Sequence, residues 1–418
     1  MKPLTSLFAA LGIPFRKAEI ERVAKAAGVS PTLVKYWNDN LVAPSEAELS
    51  KICSEFQVKP LLIKLRMGLI DERVRRLFME KADTFSEHLE TESPPSPNSE
   101  PVREALTTKF GTLYQGDCLN LMRGMPSGSF NLIFADPPFN LRKKYPSNIN
   151  DALKDEDYLA WCFTWLDECV RLLADGGSLF IYNLPKWNTA ITEYLNGRLT
   201  FRDWIAIDIK FSLPISSRLY PSHYSLLYYV KGERPATFLP DRLPMEICPN
   251  CLKDLKDYGG YKAKMNPKGV SLTDVWVDIP PVRHHKYKKR KGANELSIKL
   301  LDRIIEMASK EGDHVFDPFG GSGSTYAVAE IKKRRWTGIE IGPVSEIIER
   351  LKNPKVDEDH LLRIRAKSNF LFTPKDKERR EKLGLWTHET IRNGGLKSEK
   401  NGSESSLKNL SQNDLPFN

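Results

Sequence analysis

The sequence predicts an α/β protein: a mostly parallel sheet with helices on both faces, preceded by a small N-terminal helical bundle. Three observations carry this expectation. From Asn131 onward, short apolar runs alternate with amphipathic helical stretches. Two of those runs end in turns, Asp136-Pro137-Pro138-Phe139 and Asp317-Pro318-Phe319-Gly320-Gly321-Ser322-Gly323, at the carboxyl ends of strands, where open α/β sheets hold their ligands. The segment up to Ala82, in contrast, carries helical periodicity.

In that first segment, Ile20, Val23, Ala24 and Ala27 recur at helical spacing over Arg16–Ala27. Gly28 can stop this helix, Ser30 can cap the next, and Pro31 suits its first position. Leu33, Val34 and Trp37 give the second helix an apolar face, and Ser45–Phe56 and Pro60–Gly68 complete a bundle over residues 1–82. Ala24, Gly28, Val29, Val34 and Trp37 resemble a helix-turn-helix of the small phage-repressor type; the same pattern fits a helical hairpin without DNA contact. Residues 83–106, with Glu-Ser-Pro-Pro-Ser-Pro-Asn-Ser-Glu-Pro inside them, read as an exposed linker.

The α/β rhythm fills residues 107–345. Strands are expected at Asn131–Ala135, Ser178–Tyr182, Trp204–Phe211, Tyr224–Val230, Val315–Asp317 and Trp336–Glu340, and helices at Asp157–Leu173, Asn294–Ser309 and Ser322–Lys333. Gly232–Lys291, rich in Pro, Lys and Tyr, interrupts the rhythm as an insert. Residues 346–418 read as a C-terminal extension whose Gly-, Ser-, Asn- and Lys-rich end, from Asn393, is expected to be disordered.

The 418-residue chain has a formal charge of +9, which suits a polyanionic partner. Six scattered cysteines, no secretory start and no run of about 18 apolar residues point to a reduced, soluble, cytoplasmic protein without a membrane span.

The first turn suits chemistry on an exocyclic amine. Such an amine is a poor nucleophile because its lone pair is delocalised into the ring. Two acceptors aimed at its hydrogens draw that pair back onto nitrogen. Asp136 offers a carboxylate and Pro137 a carbonyl, Pro137 and Pro138 stiffen the backbone, and Phe139 offers a flat face for a base. A base stacked there has left its duplex. The second turn suits a nucleoside. Gly321 and Gly323 allow close backbone approach, and the absence of the Lys of a phosphate-binding P-loop argues against a nucleoside triphosphatase. Asp317 before the glycines and Glu340 at the end of the next strand provide acids for a cation and for ribose hydroxyls, and Phe319 provides a packing face.

The run Gly116-Asp117-Cys118-Leu119-Asn120-Leu121-Met122, continued by Asn131 to Asn140 through Asp136-Pro137-Pro138-Phe139, together with the Asp317–Gly323 turn, resembles the DNA amino-methyltransferases. The order, catalytic turn before cofactor turn, resembles their β class. The resemblance implies a Rossmann-like methyltransferase fold with S-adenosylmethionine as cofactor. It implies direct methyl transfer to an exocyclic nitrogen of a base in double-stranded DNA, within a prokaryotic, nucleoid-associated setting where a restriction endonuclease is the expected companion. It places Asp117 beside the cofactor's adenine ring, and Asn294 and Ser297 on a helix that touches its methionine end; both also suit helix capping. An Asp-first tetrad leans towards adenine N6 in this class, with cytosine N4 as the alternative. A DNA-binding regulator with a degenerate methyltransferase fold is a further reading, which the two intact motifs oppose.

The resemblance also puts target recognition between the two motifs, where the Gly232–Lys291 insert lies. It ends in a basic run from which Arg283, Lys286, Lys288, Lys289 and Arg290 are expected to contact phosphates. Inside the insert, Cys248-Pro249-Asn250-Cys251 forms half of a zinc site. With no second Cys-x-x-Cys, and with His284 and His285 far off in sequence, no metal is assigned.

Overall fold

A computed structural model describes residues 3–70, 72–83, 101–141, 153–208, 216–217, 219, 221–255, 266–280, 295–387, 389, 391–392 and 395–396. The chain forms two compact units, Met1–Asn98 and Ser99–Asn418.

The first unit is helical: α1 (Leu7–Leu11), α2 (Lys17–Ala27), α3 (Pro31–Asp39), α4 (Glu46–Glu55), α5 (Pro60–Arg66) and α6 (Glu72–Glu80). Local signals set its boundaries. Gly28 takes φ 76° and ends α2, and the Ser30 hydroxyl accepts the Leu33 N–H at 3.2 Å to start α3. Ser45 and Glu48 form a reciprocal capping box on α4. Ile20, Val23, Val34, Trp37, Leu49, Ile52 and Ile63 form one buried core with Leu7 and Phe8. The α2–α3 pair is therefore present with the expected turn. Helices α1 and α6 are additions; five residues give α1 no readable period, and α6 is mostly charged.

The second unit carries β1 (Arg103–Thr107), β2 (Gly111–Gln115), α7 (Cys118–Arg123), β3 (Phe130–Ala135), α8 (Asp155–Leu172), β4 (Leu173–Asn183), α9 (Pro185–Leu195), β5 (Thr200–Asp208) and β6 (His223–Val230). Then follow β7 (Arg242–Leu243), β8 (Val270–Ser271), β9 (Val275–Trp276), α10 (Ile298–Ala308), β10 (His314–Asp317), α11 (Ser324–Ile331), β11 (Arg335–Glu340), α12 (Ser345–Lys352), α13 (Lys355–Arg365) and α14 (Pro374–Lys382). The main sheet runs β1-β2-β11-β10-β3-β4-β6-β5-β9. It is parallel from β2 through β4, while β1 and β6 run antiparallel to their neighbours. This is the α/β, Rossmann-like sheet expected from the sequence.

Helices cover both faces, as the alternation along β3 shows. Leu132 and Phe134 pack into a core shared with α10 and α11, while Ile133 and Ala135 pack into one shared with α8 and α9. Among the described residues, no helix is long and apolar enough to cross a membrane.

Two expected boundaries move. Strand β1 lies within residues 83–106, read as linker; as an antiparallel edge strand with no fully buried position, it shows no apolar run. Residues 346–418 are not wholly an extension. Ile347 and Leu351 of α12 and Leu361 of α13 belong to the main core. Arg350 is fully buried, donates to the Asp357 carboxylate at 2.7 Å, and reaches the Ser322 carbonyl at 3.0 Å and the Ser324 hydroxyl at 2.8 Å. Charged outer faces on these short helices conceal the inner apolar stripe. The segment expected to be disordered from Asn393 lies almost entirely outside the described residues.

Removing the Arg350 guanidinium strands the Asp357 carboxylate in the core, and breaking such a buried pair costs about 3–5 kcal/mol. Arg350→Leu is expected to lower the urea midpoint by a corresponding amount at unchanged far-ultraviolet circular dichroism. A midpoint equal to wild type would show that α12 is not held through this contact.

Candidate functional site

Strand pairing builds the site. β3 and β10 are adjacent and parallel, with Val315 opposite Leu132 and Phe316 opposite Ile133. From this pair the chain winds outward in both directions, through α8 to β4 and through α11 to β11. The carboxyl ends of β3 and β10 therefore flank a topological switch point, the crevice in which open α/β sheets bind ligands. Both motifs stand there, Asp136–Phe139 directly after β3 and the Asp317–Gly323 turn at the end of β10.

The Asp136–Phe139 turn is fixed by donors that sequence reasoning missed. The Tyr158 hydroxyl donates to the Pro138 carbonyl at 2.7 Å, and the Trp187 indole donates to the Phe139 carbonyl at 2.8 Å. Asn183 donates to the Tyr158 oxygen at 3.1 Å and orients it. Asn140, at φ 54°, clamps the chain further on, donating to the Leu153 carbonyl at 2.9 Å and accepting its N–H at 2.8 Å. Among the described residues, no donor reaches the Pro137 carbonyl. The turn thus commits two of its carbonyls to the scaffold and keeps one. Asp136 is half-buried at the crevice. The partly exposed Phe139 ring lies 5.6 Å from Tyr224 and 6.1 Å from Tyr182, centroid to centroid. Buried tyrosines on β4 and β6 thus back its inner side. An aromatic at each of three strand ends was the signal available in the sequence.

The second turn is equally specified. Gly323 sits at φ 72°, and a Cβ there would lie 2.6 Å from an Ile347 methyl, so glycine is required twice over. The Gly321 N–H donates to Glu340 Oε2 and the Gly342 N–H to Oε1, each at 2.7 Å, so Glu340 ties the turn to the end of β11. Phe319 packs edge-on against Trp165 at 5.2 Å and lies 5.8 Å from the half-buried Trp161. Asp117 caps α7 by accepting the Leu119 N–H at 2.8 Å; it is exposed beside β11, where the neighbouring Gly116 N–H donates to the Glu340 carbonyl. The Ser324 hydroxyl reaches the Leu296 carbonyl at 3.3 Å, which draws Ser297 towards the glycine turn. Ser297 is buried and makes no side-chain cap on α10.

Asp317 needs a correction. Its carboxylate is buried and occupied, accepting the Phe319 N–H at 2.9 Å and the Thr325 hydroxyl at 2.5 Å. It shapes the turn from behind rather than presenting itself to a ligand. Burial pushes its carboxyl up to about 7, against the pull of those two bonds. Burial also raises the Glu340 carboxyl, partly offset by the Gly342 and Gly321 N–H groups. Asn294 and the basic residues Arg283, Lys286, Lys288, Lys289 and Arg290 lie outside the described residues, as does Arg218.

The donor set suits S-adenosylmethionine. Among the described residues, neither Asp317 nor Glu340 is ion-paired. An acidic corner without a protein cation fits a positively charged ligand, and the remaining lone pairs of Glu340 suit hydroxyls.

A family model described as DNA methylase, the N6/N4 methyltransferases, matches residues 130–350. The chain belongs to this family. It is 45% identical to Type II methyltransferase M.BamHI of Bacillus amyloliquefaciens, over 93% of this chain and 94% of that protein. It is 32% identical to DNA adenine methyltransferase YhdJ of Escherichia coli (strain K12), over 56% of this chain and 81% of that protein. Among solved structures it is similar to a DNA modification methylase of Thermus thermophilus complexed with S-adenosyl-L-methionine, at 19% identity and TM-score 0.41, over 58% of this chain and 93% of that one. The protein is a DNA methyltransferase, and its cofactor is S-adenosylmethionine.

The Asp317 shift gives this methylase a pH signature. The folded protein holds that proton more tightly than the unfolded chain, whose carboxyl sits near 3.8. The resulting stability is complete below about pH 4 and is lost as pH rises through about 7. Urea midpoints of the ligand-free protein are expected to fall across that interval, and Asp317→Asn is expected to flatten the fall. An unchanged slope in the variant would assign the titration elsewhere.

Proposed function

We propose that this methyltransferase acts on a flipped base in double-stranded DNA, with Asp136 and the Pro137 carbonyl as the acceptors for the reacting amine. The observation that carries this is the pairing of β3 with β10, which sets the Asp136–Phe139 turn beside the glycine turn, together with a Pro137 carbonyl that no described donor occupies. S-adenosylmethionine, when bound, supplies an electrophilic methyl group on a sulfonium. Glu340, Gly321, Gly323, Phe319, Asp117 and Ser297, with Asn294, are the residues proposed to hold it. Asp317 acts on it through the turn.

Phe139 receives the base on its free face. Asp136 and Pro137 accept the two amine hydrogens, which localises the nitrogen lone pair towards the crevice. The proton that nitrogen sheds after transfer passes to the Asp136 side or to water. Rate comes from placement and from dipoles already aimed at the developing charge.

Adenine N6 is the base favoured here, by the Asp-first tetrad and by the relative that bears the name adenine methyltransferase. Cytosine N4 presents the same amine beside a ring nitrogen and is the second reading. The Gly232–Lys291 insert, with its basic run, is proposed to contact the DNA, and the exposed α3 positions Thr32, Lys35 and Tyr36 keep the helix-turn-helix reading. A restriction endonuclease of the same specificity is the proposed companion.

Asp136→Ala is expected to lower transfer of labelled methyl groups to DNA at least about a hundredfold while leaving DNA affinity within about twofold. Transfer at the wild-type rate would remove that carboxylate from the chemistry. Hydrolysis of the product DNA to nucleosides, followed by mass spectrometry, distinguishes N6-methyladenine, the expected product, from N4-methylcytosine, which would establish the second reading. Tyr158→Phe frees the Pro138 carbonyl without touching a ligand. It is expected to reduce kcat about ten- to a hundredfold at unchanged KM for the cofactor. An unchanged kcat would show that the turn holds its shape without that bond.

A further inference from the structure

The insert between β6 and α10 contains a second constellation, away from the crevice residues. Ile247 and Leu255 form an antiparallel bridge, and between them the chain folds back on itself. The Cys248 N–H donates to the Asp254 carbonyl and the Leu252 N–H to the Cys248 carbonyl, both at 3.0 Å. The backbone N–H groups of Cys251 and Asn250 are directed at the Cys248 sulfur, which draws its thiol below the usual range. Leu252 completes the loop at φ 56°, a left-handed conformation uncommon for leucine, with its side chain buried.

The outcome is convergence. The Cys248 and Cys251 sulfurs and an Asp254 carboxylate oxygen all lie within 4.8 Å of one another, and Cys251 donates to Asp254 at 3.1 Å. Both cysteines are half-buried and Asp254 is exposed, so solvent can reach the group. Cys53, Cys118, Cys162 and Cys169, in contrast, are fully buried.

The surroundings show what such a group would be for. Met245, Leu371 and Phe372 form a separate core with only Ile247, Leu255 and Trp386 packed against it. Arg380 braces the loop by donating to the Leu252 and Trp386 carbonyls while lying over the Phe372 and Trp386 rings. So small a cluster stands in need of a staple.

We propose that Cys248, Cys251 and Asp254 bind one zinc ion, with water as the fourth ligand, and that this ion fastens the insert to the segment 371–387. Two thiolates select a soft or borderline cation over magnesium or calcium. N–H groups turned towards sulfur stabilise the thiolate, and each thiol releases its proton on binding. Asp254, three residues beyond the Cys-x-x-Cys, is the ligand that cysteine and histidine counting does not find.

The test uses the full-length protein purified without chelator. Elemental analysis is expected to find about one zinc per chain. After zinc removal under reducing conditions, cobalt(II) is expected to restore occupancy with thiolate-to-metal charge-transfer absorption. Thiol labelling of the native protein is expected to spare Cys248 and Cys251 until the metal is extracted. C248S/C251S is expected to lose metal and absorption together. Asp254→Asn is expected to keep the absorption and weaken cobalt binding at least about tenfold. Zinc-free protein that, once reduced, gives no charge-transfer band with cobalt would overturn the proposal, and this arm needs no variant to fold. Undiminished metal in C248S/C251S would overturn it equally, and unchanged cobalt affinity in Asp254→Asn would remove Asp254 from the ligand set.

Discussion

The hydrogen-bonded parallel ladder between β10 and β3 is the constraint on which the rest of this molecule depends. Its two recorded partner pairs, Val315 with Leu132 and Phe316 with Ile133, set how far each strand projects before it turns. A shift of one residue would reverse the faces of the shifted strand and take Phe316 or Ile133 out of the core. Because both faces are packed, the register is fixed by burial on either side. The two turns inherit their separation from that register, and neither has to be positioned by a loop of its own.

Each turn is then stiffened by a different device. After β3, prolines limit the backbone, and Tyr158 and Trp187, from the helices on one face, occupy the carbonyls on either side of the Pro138–Phe139 peptide. After β10, Asp317 works from below and Glu340 from the side, through bonds to backbone N–H groups and to Thr325. The second arrangement concentrates acid in a place that the described cations do not reach. That corner disfavours charge while empty and suits a cationic cofactor, so cofactor binding and acid ionisation support each other. Arg350 holds the far side of the same turn through the Ser322 carbonyl and the Ser324 hydroxyl, which makes α12 part of the site's foundation.

Much of this is legible in the amino-acid sequence. Asp136-Pro137-Pro138-Phe139 and the Gly321–Gly323 turn identify themselves because Pro and Gly have backbone requirements visible one residue at a time. The strands behind them read clearly because they are buried on both faces. Other elements are hidden for physical reasons. β1 is a half-exposed edge, and α12 and α13 bury a narrow stripe beneath many charges. Asp317 reads as a ligand because a carboxylate beside glycines suggests one. Its burial and its two partners exist only once Thr325 folds back over it. Tyr158 and Trp187 cannot be singled out, since their role comes from where α8 and α9 dock rather than from any local pattern.

The direct test of a single crevice shared by base and cofactor is photolabelling of the full-length protein with methyl-labelled S-adenosylmethionine, mapped by peptide mass spectrometry. Label is expected on two peptides distant in sequence, one containing Asp136–Phe139 and the other Phe319–Gly323, with both displaced by excess S-adenosylhomocysteine. Displaceable label confined to peptides that contain neither turn would contradict the account.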